Sequence, residues 1–104
     1  MGEWIEVMGL EDIAADGSHA VVGDEEILLV RQGDTVYALG YLCSHQEKEL
    51  QGGECDGKAW VCPHHGARFD LKTGAALSMP AVEPISSYEV KVEQGRVFVR
   101  EPRP

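Results

Sequence analysis

The chain has 104 residues, 43% hydrophobic and 26% charged, which suits one folded domain over residues 1–104 and leaves no length for a second catalytic domain. Eighteen acidic residues against nine basic ones give a formal net charge of −9, which argues against a nucleic-acid surface or an anionic membrane and favours a basic protein partner. No stretch approaches the roughly 20 apolar residues of a transmembrane helix, and the opening residues lack the basic start and apolar run of a secretory signal, so a cytoplasmic location is expected.

In chain order, short β-type runs are predicted at Trp4–Val7, His19–Val22, Glu26–Val30, Thr35–Leu39, Ala59–Val61, Tyr88–Val92 and Arg96–Arg100. Gly- and Asp-rich turns separate them, the rhythm of an all-β sandwich or barrel. Only Leu10–Ala15 reads as helical, with room for one or two turns. Gly33-Asp34 and Gln94-Gly95 read as hairpin turns. Glu89 to Glu93 alternates strictly, which predicts one buried and one wet face. Acids crowd the first third: residues 1–34 hold nine of them and a single base, Arg31. That stretch is either a solubilising face or a steering surface for a partner.

Between Tyr41 and Pro84 the texture changes to Cys-, Gly- and His-rich stretches, a loop-built region on a β scaffold. Three cysteines are an odd count in a chain expected in a reducing compartment, so metal or redox use is favoured over a disulfide framework. Two pairs stand out: Cys43-Ser44-His45, and Cys62-Pro63-His64-His65, with sixteen residues, 46–61, between them. Each pair puts one thiolate and one imidazole on a tight loop, so that two loops can close over a bimetallic cluster from opposite sides. Neutral nitrogen donors make one iron easier to reduce than in an all-cysteine cluster. A tetrahedral zinc site could use the same four donors, although the C-x2–4-C or H-x3–5-H spacing usual for zinc is absent. A Cys–His nucleophile would account for only two of the four residues.

The pattern C-x-H, sixteen residues, C-x-x-H-G resembles that of the Rieske family, and the chain is similar to a small Rieske ferredoxin over nearly its whole length. The Trp4 strand, Gly66-Ala67-Arg68-Phe69-Asp70, Thr73-Gly74, the Pro80 and Pro84 loop and the closing Tyr88–Val99 hairpin carry the rest of the resemblance. It implies an all-β Rieske fold, a sandwich or barrel-like base with a small cluster-binding subdomain at about residues 43–70. It also implies one [2Fe–2S] cluster per chain, with Cys43 and Cys62 on the buried iron, His45 and His65 on the exposed one, and Pro80 shielding it.

Departures from the family pattern narrow the subtype. High-potential respiratory members carry two further cysteines joined as a disulfide, where this chain has Lys48 and His64, and a serine hydroxyl toward a cluster sulfur, where it has Ala67. Fewer hydrogen bonds to sulfur leave the reduced cluster less stabilised, which predicts a potential near the low end of the Rieske range, about −150 mV. The charged run Gln46-Glu47-Lys48-Glu49 beside the first pair is either a partner contact or a solvated loop. Cys55 reads as an exposed, non-ligating thiol in a turn, His19 as a strand-surface residue, His64 as a loop residue, and Trp60 and Phe69 as core supports.

An oxygenase would need a separate mononuclear iron, and only His19 and His64 remain to hold one. The resemblance therefore implies an electron carrier, not an enzyme. A flavoprotein reductase using NADH or NADPH would supply electrons, and the terminal oxygenase of an aromatic-ring-hydroxylating system would accept them, with the carrier as a monomer. The small Rieske subunit of an assimilatory nitrite reductase shares the motif and stays open, as does a zinc-stabilised interaction module.

Overall fold

The computed structural model describes residues 3–42, 48–64, 66–78 and 83–100. Among these described residues, ten strands form three antiparallel sheets. The first joins β1 (Trp4–Gly9), β10 (Arg96–Arg100) and β9 (Val90–Glu93) in that order. The second runs β2 (Ser18–Val22), β3 (Glu25–Gln32), β4 (Thr35–Gly40), β8 (Ser87–Tyr88), and the third β5 (Glu54–Asp56), β6 (Ala59–Val61), β7 (Arg68–Asp70).

The apolar run Ile27–Val30 explains the layering. Successive strand residues point to opposite faces, and all four of these side chains are buried. Ile27 and Leu29 join Val22, Val36, Ala38, Val97 and Val99 in one core, against the first sheet. Leu28 and Val30 join Leu39, Tyr41, Leu50, Trp60, Cys62 and Phe69 in a second core, against the third sheet. The middle sheet is thus buried on both faces. Each such side chain contributes about 1.5–3 kcal/mol relative to leaving it in water. The expected all-β architecture, a sandwich-like base carrying a smaller sheet, is what the described residues adopt.

Both predicted hairpins form: Gln32 pairs with Thr35 across Gly33-Asp34, and Glu93 with Arg96 across Gln94-Gly95. Gln94 has φ 52, followed by a glycine also at positive φ, the turn geometry that matches the twist of its strands.

Four expectations need correction. Leu10–Ala15 supplies only one 3-10 turn, Leu10–Asp12, because Ile13 extends (φ −78, ψ 119) to reach the first core. The Leu10 N–H meanwhile donates to the Gly95 carbonyl at 2.8 Å, tying that turn to the distant hairpin. The predicted strand Tyr88–Val92 is two strands, because the chain changes sheets at Glu89: β8 pairs with β4, β9 with β10.

Nor does β9 have a cleanly buried face. It is an edge strand on which Val92 is exposed, while the half-buried Lys91 lies 4.9 Å from the Trp4 ring centroid and 5.5 Å from that of Phe98. The aliphatic stem and charge of a lysine both favour that position over aromatic rings. Lastly, Cys55 is no exposed turn residue. It lies in β5 opposite Trp60, half-buried against the second core, and burial pushes its thiol up from the ordinary value.

Candidate metal centre

Three loops leave the second core, and backbone hydrogen bonds close each at its base. The first follows β4. Leu42 pairs with Glu49 as an isolated antiparallel bridge, and the Leu50 N–H donates to the Tyr41 carbonyl at 2.9 Å. The second joins β6 to β7: the Cys62 N–H donates to the Ala67 carbonyl at 2.7 Å, and the Cys62 carbonyl accepts from the Gly66 N–H at 3.0 Å. That reversal places Gly66 at φ 73, a conformation that side chains with a Cβ disfavour. The third spans Gly74 to Ile85, closed by the Ile85 N–H donating to the Gly74 carbonyl at 2.9 Å.

The bases of all three loops pack on the same buried cluster, through Tyr41 and Leu50, Cys62 and Ala67, and Ile85. Trp60 and Phe69, paired across β6 and β7 and wholly buried, support them from below as the sequence predicts. Trp60 does so with a specific bond as well: its Nε1–H donates to the Leu50 carbonyl at 2.8 Å, joining the small sheet to the return limb of the first loop. That limb passes so close to β6 that a Cβ on Gly53 would stand 2.1 Å from the Val61 carbonyl oxygen and 3.0 Å from Trp60 Nε1. Only glycine fits there without a shift of backbone.

Of the four predicted ligands, Cys62 is the one the structure places. Cys43, His45 and His65 lie outside the described residues, as does Pro80. The Cys62 side chain is 2% exposed, has no disulfide partner, and sits among apolar neighbours at the mouth of a loop tied at both ends. A buried, unpaired thiol so held fits a ligand to an internal iron. Among the described residues, which include only Cys62 of the four, no group of three His, Cys, Asp or Glu side chains converges on a metal-sized site. Ala67 is fully buried beside Cys62 and brings no hydroxyl, in keeping with its reading as a missing donor. Lys48 and His64 are exposed on the first and second loops.

Two polar anchors brace the loops. The Asp70 carboxylate accepts the Lys72 and Thr73 N–H groups at 2.8 and 3.0 Å, closing the turn that follows β7. These backbone bonds, Thr73 first, hold its carboxyl below the ordinary value. The other anchor escaped the sequence reading. The Tyr41 hydroxyl lies 2.9 Å from Glu49 Oε2 and 2.8 Å from Gln51 Oε1. Burial, then the Glu49 hydrogen bond and the charges of Glu49 and Glu26, push this phenol up to about 12, so it stays protonated as a donor. Glu49 is thus turned back onto the protein's own scaffold. His19, on the strand surface as predicted, adds an edge-on ring contact to Tyr41 at 4.4 Å and reaches Glu26 Oε1 at 2.9 Å.

Residues 3–89 match the family model described as the Rieske [2Fe-2S] domain. The naphthalene 1,2-dioxygenase system ferredoxin component of Pseudomonas putida is 36% identical over 98 residues, 93% of this chain and 94% of the relative. Among solved structures, the ferredoxin of carbazole 1,9a-dioxygenase from Nocardioides aromaticivorans IC177 superposes with a TM-score of 0.88 at 33% identity, covering 95% of this chain and 98% of that one. A complex of reduced oxygenase and oxidized ferredoxin in carbazole 1,9a-dioxygenase contains a chain matching at TM-score 0.83 and 32% identity, over 97% of this chain and 96% of that one. Three closed loops on one core, a buried unpaired Cys62 at the base of the second, and a match over most of the length agree: the chain belongs to the Rieske [2Fe-2S] domain family.

Proposed function

We propose that this chain is the ferredoxin component of an aromatic-ring-hydroxylating dioxygenase system, a one-electron carrier and not itself an enzyme. Its donor would be an NAD(P)H-dependent flavoprotein reductase and its acceptor the terminal oxygenase. The observation that supports this reading best is the full-length likeness to ferredoxin components, several of which belong to naphthalene dioxygenase systems and one of which is matched within a ferredoxin–oxygenase complex. A monomer in the cytoplasm is the simplest form for such a shuttle; no helix among the described residues is long and apolar enough to cross a membrane.

The ligand set proposed is Cys43, His45, Cys62 and His65, within a cluster-binding subdomain at residues 43–70 of a single domain. A Rieske [2Fe–2S] cluster held there would take up and release one electron at a time. The chain's own contribution is to keep the Cys62 side out of water with Trp60, Phe69, Leu50 and Ala67. It also holds three loop bases rigid, so that little has to reorganise when charge arrives. His45 and His65 would form the contact tip on the solvent side.

The test is a visible and EPR spectrum before and after dithionite. A red-brown protein whose reduced form gives a rhombic signal with average g below the free-electron value is expected, with a midpoint near the low end of the Rieske range, about −150 mV. A midpoint well into the positive part of that range would overturn the potential. Colourless protein with stoichiometric zinc, made with iron available, would overturn the carrier. Co-purification with a large flavin- and siroheme-containing chain would point instead to a nitrite reductase subunit. Because iron(III) acidifies a bound imidazole more than iron(II) does, the midpoint should also fall with rising alkaline pH; a flat profile would argue against exposed histidine ligands.

A further inference from the structure

Tyr41 stands two residues before Cys43, and both its carbonyl and its hydroxyl are directed at the far limb of the first loop. Its carbonyl accepts the Leu50 N–H at 2.9 Å. Its hydroxyl, carrying one proton, faces two acceptors, Glu49 Oε2 at 2.9 Å and Gln51 Oε1 at 2.8 Å. The Gln51 amide is itself oriented by donating from Nε2 to the Gly17 carbonyl at 3.3 Å, and the next residue, Gly52, donates its N–H to the Asp16 carbonyl at 2.8 Å. Trp60 Nε1–H takes the Leu50 carbonyl. Residues 49–52 are therefore tied to three separate elements: the end of β4, the Asp16-Gly17 turn and β6. Only the tie from Tyr41 links the two limbs of the same loop through a side chain, among the hydrogen bonds of the described residues.

The ring is 8% exposed and belongs to the buried cluster that also contains Cys62 and Ala67. One rigid aromatic plate thus touches the core shared by both ligand loops while its hydroxyl grips the return limb of the first. Packing alone would be served equally well by phenylalanine. The hydroxyl with two oxygen acceptors is the part that packing does not explain, since an unneeded buried polar group costs stability.

We infer that the Tyr41 hydroxyl is a positioning residue for the cluster: by clasping Glu49 and Gln51 it fixes the relative placement of the two limbs of the first ligand loop, and through them the metal environment. This rests on the cluster reading above. Loss of the clasp should let the loop sample several placements, and a spread of placements appears as a spread of g-values. It should also ease removal of iron.

The experiment compares EPR spectra of the reduced holoprotein with the rate of iron loss to a chelator. Tyr41→Phe should shift and broaden the outermost g features and release iron about tenfold faster, the scale of one lost charge-assisted hydrogen bond. Glu49→Gln retains an acceptor oxygen and should keep the wild-type line shape, whereas Glu49→Ala, at an exposed residue that tolerates truncation, should broaden the lines, though less than Tyr41→Phe because Gln51 Oε1 still accepts from the hydroxyl. Should Tyr41→Phe not fold, the two Glu49 variants alone carry the comparison. Unchanged line shapes in Tyr41→Phe and Glu49→Ala, with only the melting temperature lowered, would reduce Tyr41 to a packing residue and overturn the inference. Broadening in Glu49→Gln equal to that in Glu49→Ala would assign the effect to charge and overturn it too. Wild-type protein lacking a Rieske-type signal would overturn the cluster reading and this inference with it, which unchanged variants beside a normal wild-type signal would not.

Discussion

The two cores flanking the middle sheet are held together differently. On the side of the first sheet, Ile27, Leu29, Val97 and Val99 interlock as aliphatic side chains from strands of five to eight residues, and no single hydrogen bond decides the arrangement. On the other side, strands of three residues supply too little ladder to hold a sheet unaided. Two large rings, one indole hydrogen bond and one close backbone approach replace it. The first region is stabilised by area, which tolerates change; the second by a few placed groups, which do not.

The largest effect should separate the two regions. Trp60→Ala removes a fully buried ring from beneath both ligand loops and should cost about 4 kcal/mol together with most of the bound iron. Leu29→Ala, in the other core, should cost about 3 kcal/mol while leaving the spectrum of the folded fraction intact. Chemical denaturation read beside iron content checks both, and equal iron loss in the two variants would erase the distinction.

Gly53→Ala comes next. The added Cβ would meet the Val61 carbonyl oxygen at 2.1 Å, and because that atom is backbone the strands themselves must part. A cost of about 1–3 kcal/mol is expected, with looser iron binding because the shift is delivered between Cys62 and the first loop. A variant as stable as the wild type would show that this close approach is dispensable. Smaller still should be Trp60→Phe, which keeps most of the ring but strips the donor from the Leu50 carbonyl, at about 1 kcal/mol.

The same contrast explains what could be read from the sequence. The run Glu26–Val30 is legible as a strand from its β-type residues between turn signals, and Gln94-Gly95 announces its hairpin through local turn chemistry. The four predicted ligands were visible as two spaced pairs, and the family to which they point is the one whose model matches residues 3–89. By contrast β5 and β7, read as Glu-Cys-Asp and Arg-Phe-Asp, have no periodicity to betray them; they are strands because Trp60 lies between them. The break at Glu89 was hidden for a related reason, since an alternating run gives no sign that its two halves pair with different sheets. Tyr41 could not be found because its partners, Glu49 and Gln51, meet it only after the first loop has closed.

The smallest predicted effect concerns acid. Asp70 accepts two backbone N–H groups in the turn beyond β7, and its folded-state carboxyl is lowered relative to an unfolded chain, where it titrates near about 4. A lowered folded value means the unfolded chain binds the proton first as pH falls. The contribution of Asp70 is therefore fully present above the unfolded value and is lost as pH drops through the folded one. Asp70→Asn keeps an acceptor oxygen but cannot titrate. It should leave the neutral-pH melting temperature slightly lower and flatten the acid limb of the stability curve below about pH 4. Leu29→Ala should lower the whole curve without changing its slope there, since no titrating group is touched. A parallel fall of both variants across the acid range would show that the turn beside the site is held by packing after all, and that the division between an area-held and a placement-held core does not extend to Asp70.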